Sequence, residues 1–266
     1  MPSGRSYGIK FTIAGPGIGF DLNGDAIVNN SFGDLPPVLL AQINSDLEAN
    51  FVAGATIFVF HISNWSDPPT ADDPDLSVKA LLSLDADATT QNNFDGTGTF
   101  YADASSFDLD CQLALALDQA SLTTGHLSAA AKSLAIPFLG WQTISFRDLK
   151  MELNFDASFT FTDFMIGGTL PACALSAANA SGEQPGSMLD VLVNNEAQTG
   201  VRPDMDADGD GLERMIGDGA TVTECIDGDG VTRIVGRTCA CDPRIQDGYS
   251  LAVVGDGAFA RIIGTR

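Results

Sequence analysis

The chain has little positive charge, little histidine and little glutamate. Against 35 acidic residues stand 13 lysines and arginines, and only two histidines occur, giving a formal charge of −22. Such a surface repels phosphate backbones and anionic lipid, and although seven of the nine arginines lie beyond residue 200, they form no basic stripe. Nucleic acid is not an expected partner. His61 and His126 belong to no nucleophile arrangement, and neither GxSxG nor HExxH is present, so the reading is a protein without catalytic activity. A hydrolase working through paired carboxylates stays an alternative, but with 29 aspartates a pair is always at hand and none stands out.

Long apolar runs are also missing. None approaches the ~20 residues of a membrane helix, so no membrane span is expected. The start, MPSGRSYGIKF, lacks the apolar core of a signal peptide, so the expectation is a mature or trimmed form of a secreted chain, with export by another route as the alternative.

Among the acids, 29 are aspartate and six glutamate, a bias toward the short carboxylate that favours turns and metal loops over helix surfaces. A length of 266 residues is enough to bury a sizeable core. The five cysteines are Cys111, Cys173, Cys225, Cys239 and Cys241. They predict a disulfide from Cys225 to Cys239 or Cys241, made in an oxidising compartment. Cys111 reads equally as a buried thiol or as the partner of Cys173.

Along the chain, Tyr7 to Phe20 reads as a strand and a glycine turn, GPGIG; no helix follows it, so it is not a dinucleotide loop. Asp34 is placed as the cap of an amphipathic helix over about 34–53, with Leu39, Ile43, Leu47 and Phe51 on its apolar face and Gly54 as its stop. Ala55 to Ser63 is apolar on both faces, as in a buried central strand containing His61. Asn64 to Asp75 reads as a solvated loop. Leu76 to Leu84, Cys111 to Leu117 and Leu149 to Phe161 alternate, the last with Lys150 and Glu152 on its wet face. This pattern predicts a mainly β fold: an antiparallel β-sandwich, or a curved sheet, carrying the amphipathic helix and calcium-binding loops. After Gly167 an Ala/Ser/Gly/Asn-rich stretch through Gly186 reads as a connection with a helical turn near Leu170 to Ala178, and Ser187 with Asp190 forms a capping box. Gly248 to Val254 and Ala258 to Ile263 read as a closing hairpin around Gly255 to Gly257. The division is a β-rich domain over 1–180 and a calcium-loop segment over 181–266, packed on the same domain.

The most specific signal is DMDADGDGLE at Asp204 to Glu213. Calcium takes six to eight oxygens, and acids at alternate positions with a glycine at the sharp turn can wrap one ion. Asp206, Asp208 and Asp210 fit positions 1, 3 and 5, Gly211 the turn, and the Leu212 carbonyl position 7; a register starting at Asp204 is also allowed. No acid stands at position 12, so Asp218, or Asp227 and Asp229 of the CIDGDG loop, are candidates for the missing ligand. A degraded copy near the start offers Asp21, Asn23, Asp25, the Ile27 carbonyl and Asn29, with Ala26 in the glycine position.

DADGDGLE resembles the calcium loops of thrombospondin type 3 repeats and dockerins. The run FDLNGDAIVNN, a β-rich middle, DADGDGLE, CIDGDG and DGYSLAVV is similar to uncharacterised secreted lipoprotein-like bacterial families. The resemblance implies an extracellular, calcium-stabilised protein and supplies no activity. The expected function is a secreted or cell-surface structural or adhesion protein that binds calcium ions. Its further candidate partners are itself, as a filament or sheath subunit, and a surface glycan stacked on Trp65, Trp141 or Tyr101.

Overall fold

In a computed structural model the described residues are 4–55, 57–65, 71–108, 110, 115–138, 142–178 and 186–266. Thirteen strands and four α-helices are found among them. The strands are β1 (Gly4–Ile13), β2 (Ile57–Ser63), β3 (Asp73–Asp85), β4 (Thr99–Ala102), β5 (Leu115–Thr123), β6 (His126–Phe138), β7 (Gln142–Asn154), β8 (Phe161–Pro171), β9 (Arg214–Gly217), β10 (Val222–Ile226), β11 (Arg233–Val235), β12 (Gly248–Phe259) and β13 (Arg261–Thr265). The helices are α1 (Pro37–Val52), α2 (Ala172–Ala177), α3 (Met188–Asn194) and α4 (Glu196–Thr199).

The fold is mainly β, and the large sheet is curved until it closes. Antiparallel pairing runs β3-β2-β1-β12-β8-β7-β6-β5, and β5 returns to pair with β3. Eight strands therefore form a closed barrel. Short turns enforce the meander. Thr124 and Gly125, both at positive φ, join β5 to β6, as a two-residue turn matched to strand twist requires. The alternation from Leu149 onward is right as far as Phe155, but it then crosses a turn. Asp156 accepts from the amides of Ser158 and Thr160 at 2.7 and 3.0 Å, so β7 and β8 form a hairpin where the sequence reads as one strand.

β2 is buried along its whole length, as its two-faced apolarity predicts. Phe58, Phe60 and Ile62 belong to the main core, while Ile57 and Val59 join Leu81, Phe100 and Ala102 in a second one. β4 and β13 extend the sheet beyond β3 and supply this outer layer. The same layer explains a break in β3, where Leu81 is buried and Leu84 is exposed, contrary to simple alternation. Asp73 is likewise buried in β3 and not in a solvated loop.

Several boundaries move. Asp34 does not cap α1: it ends a 3-10 turn, and α1 starts at Pro37 without a side-chain cap. Its buried residues are Leu47 and Phe51, with Leu40 and Ile43 packed against the core, whereas Leu39 is exposed. Asn44 fixes the helix by bonding both backbone groups of Ile13. Gly54, at φ 68°, does follow the helix end. Past Gly167 the chain stays in β8 as far as Pro171 before any connection, and α2 at Ala172–Ala177 supplies the helical turn expected near Leu170 to Ala178. The closing hairpin is also overturned. β12 passes straight through Gly255 and Gly257, and β13 pairs with β4 in parallel instead. A side chain at Gly255 would collide with the Lys10 carbonyl, and one at Gly257 with the Phe161 ring, so these glycines allow close strand approach without turning the chain.

The capping box is present: Ser187 Oγ accepts the Asp190 amide at 3.2 Å, and Asp190 accepts the Ser187 amide at 2.7 Å. Disulfides join Cys225 to Cys239, one of the two expected pairings, and Cys173 to Cys241. The second excludes a bridge from Cys173 to Cys111, which itself lies outside the described residues. Trp65 packs on Phe155 and Phe159, with ring centroids 4.6 and 5.5 Å away, as part of an aromatic cluster. Trp141 lies outside the described residues. Among the described residues no helix is long and apolar enough to cross a membrane.

Candidate metal centre

The site begins with one backbone bridge. Met205 and Gly248 exchange hydrogen bonds of 3.2 and 2.9 Å in antiparallel sense. That pairing sets Asp206 opposite Asp247, the residue just before β12. Asp204, on the other side, anchors the fold: its carboxylate accepts the Ser250 amide at 2.7 Å and the Ser250 hydroxyl.

From Asp206 the loop curls on its own carboxylate, which accepts the amides of Gly209 at 2.7 Å and Gly211 at 2.8 Å. Both glycines are at positive φ, 83° and 123°, where a β-carbon is costly. The result brings carboxylate oxygens of Asp206, Asp208 and Asp210 within 4.8 Å of one another. Two oxygens on opposite sides of a calcium ion, each at about 2.4 Å, stand about 4.8 Å apart. The register that starts at Asp206 is the one whose acids converge.

The second loop lies on the first. Gly228 passes so close to Asp210 that a β-carbon there would meet the Asp210 carboxylate and carbonyl. Asp227 thus joins the electrostatic environment of the cluster. The Cys225–Cys239 bridge ties the base of this loop to the 3-10 turn Cys239–Cys241, and Cys173–Cys241 ties that turn to α2. Asp229 is committed to its own turn, accepting from the Val231 and Thr232 amides at 2.7 Å. Asp218 does the same for Ala220 and Thr221 at 3.1 Å. The Leu212 side chain is exposed.

Behind the loop lie two acids that the sequence reading does not place in the site. Glu213 is 4% exposed and Asp247 1%. The Glu213 amide donates to Asp247 Oδ2 at 2.8 Å. Both Glu213 carboxylate oxygens and Asp247 Oδ1 are buried, and among the described residues they have no hydrogen-bond partner. Among the described residues no ion pair reaches Asp206, Asp208, Asp210, Glu213 or Asp247. Burial, then the charges of Asp247, Asp208 and Asp210, push Glu213 up to about 8. Burial likewise pushes Asp247 up to about 7, with Asp206 and Asp208 adding to it. Asp210 rises to about 6 through desolvation and its bond and repulsion with Asp208. At Asp206 burial acts upward, but the donors Gly211 and Gly209 outweigh it and the carboxyl is lowered. An uncompensated cluster of this kind is costly, and a divalent cation would supply the missing charge.

The N-terminal loop repeats the wrapping without the buried acids. Asp21 accepts the Gly24 amide at 2.6 Å and the Ala26 amide at 3.0 Å, the same two offsets as at Asp206. Ala26 takes φ 67° where the other loop has Gly211. Its further groups are engaged locally: Asn23 donates to Asp25 at 3.2 Å, Asp25 accepts the Ile27 amide at 2.8 Å, and buried Asn29 accepts the Leu22 amide at 2.9 Å. The Ile27 side chain is exposed. Lys150 does more than decorate the wet face of β7: its Nζ donates to the Asp21 carbonyl at 2.6 Å, placing a cation against this loop.

Sequence could single out Glu213 only as one of six glutamates, at the end of the acidic run. Nothing local marks Asp247, since the Met205–Gly248 bridge and the Glu213 amide bring it in from a distant part of the chain. Comparison with known proteins adds no assignment: no family model, no curated protein and no solved structure matches the chain. The class defined by fold and site is a closed antiparallel barrel bearing a disulfide-braced acidic loop.

Proposed function

We propose that this is a secreted or cell-surface structural or adhesion protein whose fold is stabilised by calcium at the Asp206 loop. The observation that carries the reading is the pair of buried, unpartnered carboxylates of Glu213 and Asp247 beside three converging aspartates. Calcium suits the donor set, which is all oxygen and contains no histidine or thiol. Asp206, Asp208 and Asp210 hold the ion, with Asp247, Glu213 and Asp227 completing its charge. The two disulfides support an oxidising compartment. Extracellular calcium modules bind at about 10⁻⁴ to 10⁻³ M, a range in which an ion acts as a fold clasp and not as a signal. The loop's aspartate spacing resembles that of thrombospondin type 3 and dockerin loops.

The test is a thermal melt in excess calcium and in excess chelator, with calorimetric calcium titration of the same protein. A higher Tm in calcium together with saturable binding supports the proposal. An unchanged melt and no binding heat at millimolar calcium sink it.

A further inference from the structure

The barrel interior is not completely filled. A cavity of about 70 Å³ lies in it, and every barrel strand except β5 contributes to its wall. Ile9, Phe60, Ala80, Leu134, Phe164 and Val253 represent that wall, which is built from apolar residues and Gly167. Ile9 and Leu149 are 1% exposed, while Phe11, Ile166 and Leu251 are partly buried, so the lining is mostly core and reaches toward the surface at these three residues. The void persists at this level because Ala80 stands where the neighbouring inward positions of β2 carry Phe58 and Phe60.

An eight-stranded barrel has an interior that side chains can just fill or that retains room for one small ligand. One water needs about 10–15 Å³ measured with a probe of its own size, so this cavity has room for about five heavy atoms. Water is disfavoured there, because an ordered water needs two to four polar partners and these side chains offer none. Dry apolar cavities take up apolar guests, which regain the dispersion contacts missing across the gap.

We propose that the barrel lumen is a binding site for a small uncharged apolar molecule, a hydrocarbon of about five heavy atoms. The site is independent of the acidic loop: its wall comes from β1, β2, β3, β6, β7, β8 and β12 and contains no titratable side chain.

The test uses the full chain in calcium buffer, with xenon and n-butane as probes, followed by NMR. A saturable shift is expected, confined to methyl groups of Ile9, Leu149 and Val253. Ala80→Leu adds three carbons at the wall and is expected to weaken binding at least tenfold while raising or preserving Tm. Leu134→Phe fills the same space from β6 and serves if the first variant does not fold. No saturable shift with either probe, or undiminished binding in a folded filled variant, overturns the proposal.

Discussion

The backbone amide of Glu213 donates to the carboxylate of Asp247 across 2.8 Å, joining two acids 34 positions apart in sequence. Both carboxyls are buried behind the Asp206 loop. This contact links the acidic loop to the first residues of β12, a strand in the middle of the barrel wall. An ion held there would brace the barrel as well as the loop.

Removing either buried acid is expected to reduce calcium affinity without unfolding the protein. Asp247→Asn and Glu213→Gln keep the volume and should each lower affinity by about 10- to 100-fold, a range typical of lost ligand or supporting groups. Asp218→Asn and Asp229→Asn, whose carboxylates close separate turns, should leave affinity within about twofold. Titration calorimetry on the four variants checks the ranking, and equal losses at all four sites would remove Asp247 and Glu213 from the centre.

The calcium-free protein is expected to lose stability as pH rises. Glu213 and Asp247 have folded values of about 8 and 7, above the ordinary unfolded range near 4. Their protonated forms are favoured by folding, so the contribution is complete below about pH 4 and disappears as pH climbs through about 8. In chelator, Tm should fall from pH 5 to pH 9, and Glu213→Gln should flatten the upper part of that curve. Calcium should remove most of the decline.

Histidine works in the opposite direction. His61 is buried in β2, with Nδ1 3.0 Å from Ser6 Oγ, and its pKa is lowered, first by burial and then by nearby positive charge that includes Lys79. Folding favours the neutral ring, so its contribution is present above about pH 6.5 and is lost as pH falls through the lower folded value. In chelator, wild type should therefore lose Tm relative to His61→Gln between pH 6.5 and 5. Parallel curves for the two proteins would contradict this.

Ala26 offers a test of loop strain. Its φ of 67° matches a glycine position, and relieving a left-handed alanine is worth about 1 kcal/mol. Ala26→Gly should raise stability by about that amount, or about 2–4 °C in Tm for a chain of this size class. A lowered Tm would mean that the alanine methyl makes a contact more valuable than the strain it causes.

Much of the local structure is legible in consecutive residues. Alternation marks Leu149 to Phe155 because a strand with one wet face must alternate. The run Ile57 to Ser63 marks burial on both sides, Ser187 and Asp190 mark a helix start, and Cys239 was one of two partners offered to Cys225. Other features depend on which distant segment comes alongside. Gly255 to Gly257 has the composition of a turn, yet it is extended because Lys10 and Phe161 press against it.

The sequence by itself determined the mainly β character and the Asp206 loop, since side-chain period and the spacing of aspartates around glycines are properties of consecutive residues. Only the tertiary structure decided that the sheet closes from β5 to β3, that Cys173 reaches Cys241, and that Glu213 and Asp247 stand behind the loop. Each of these joins residues far apart in the chain, and the barrel wall is what brings them within bonding distance.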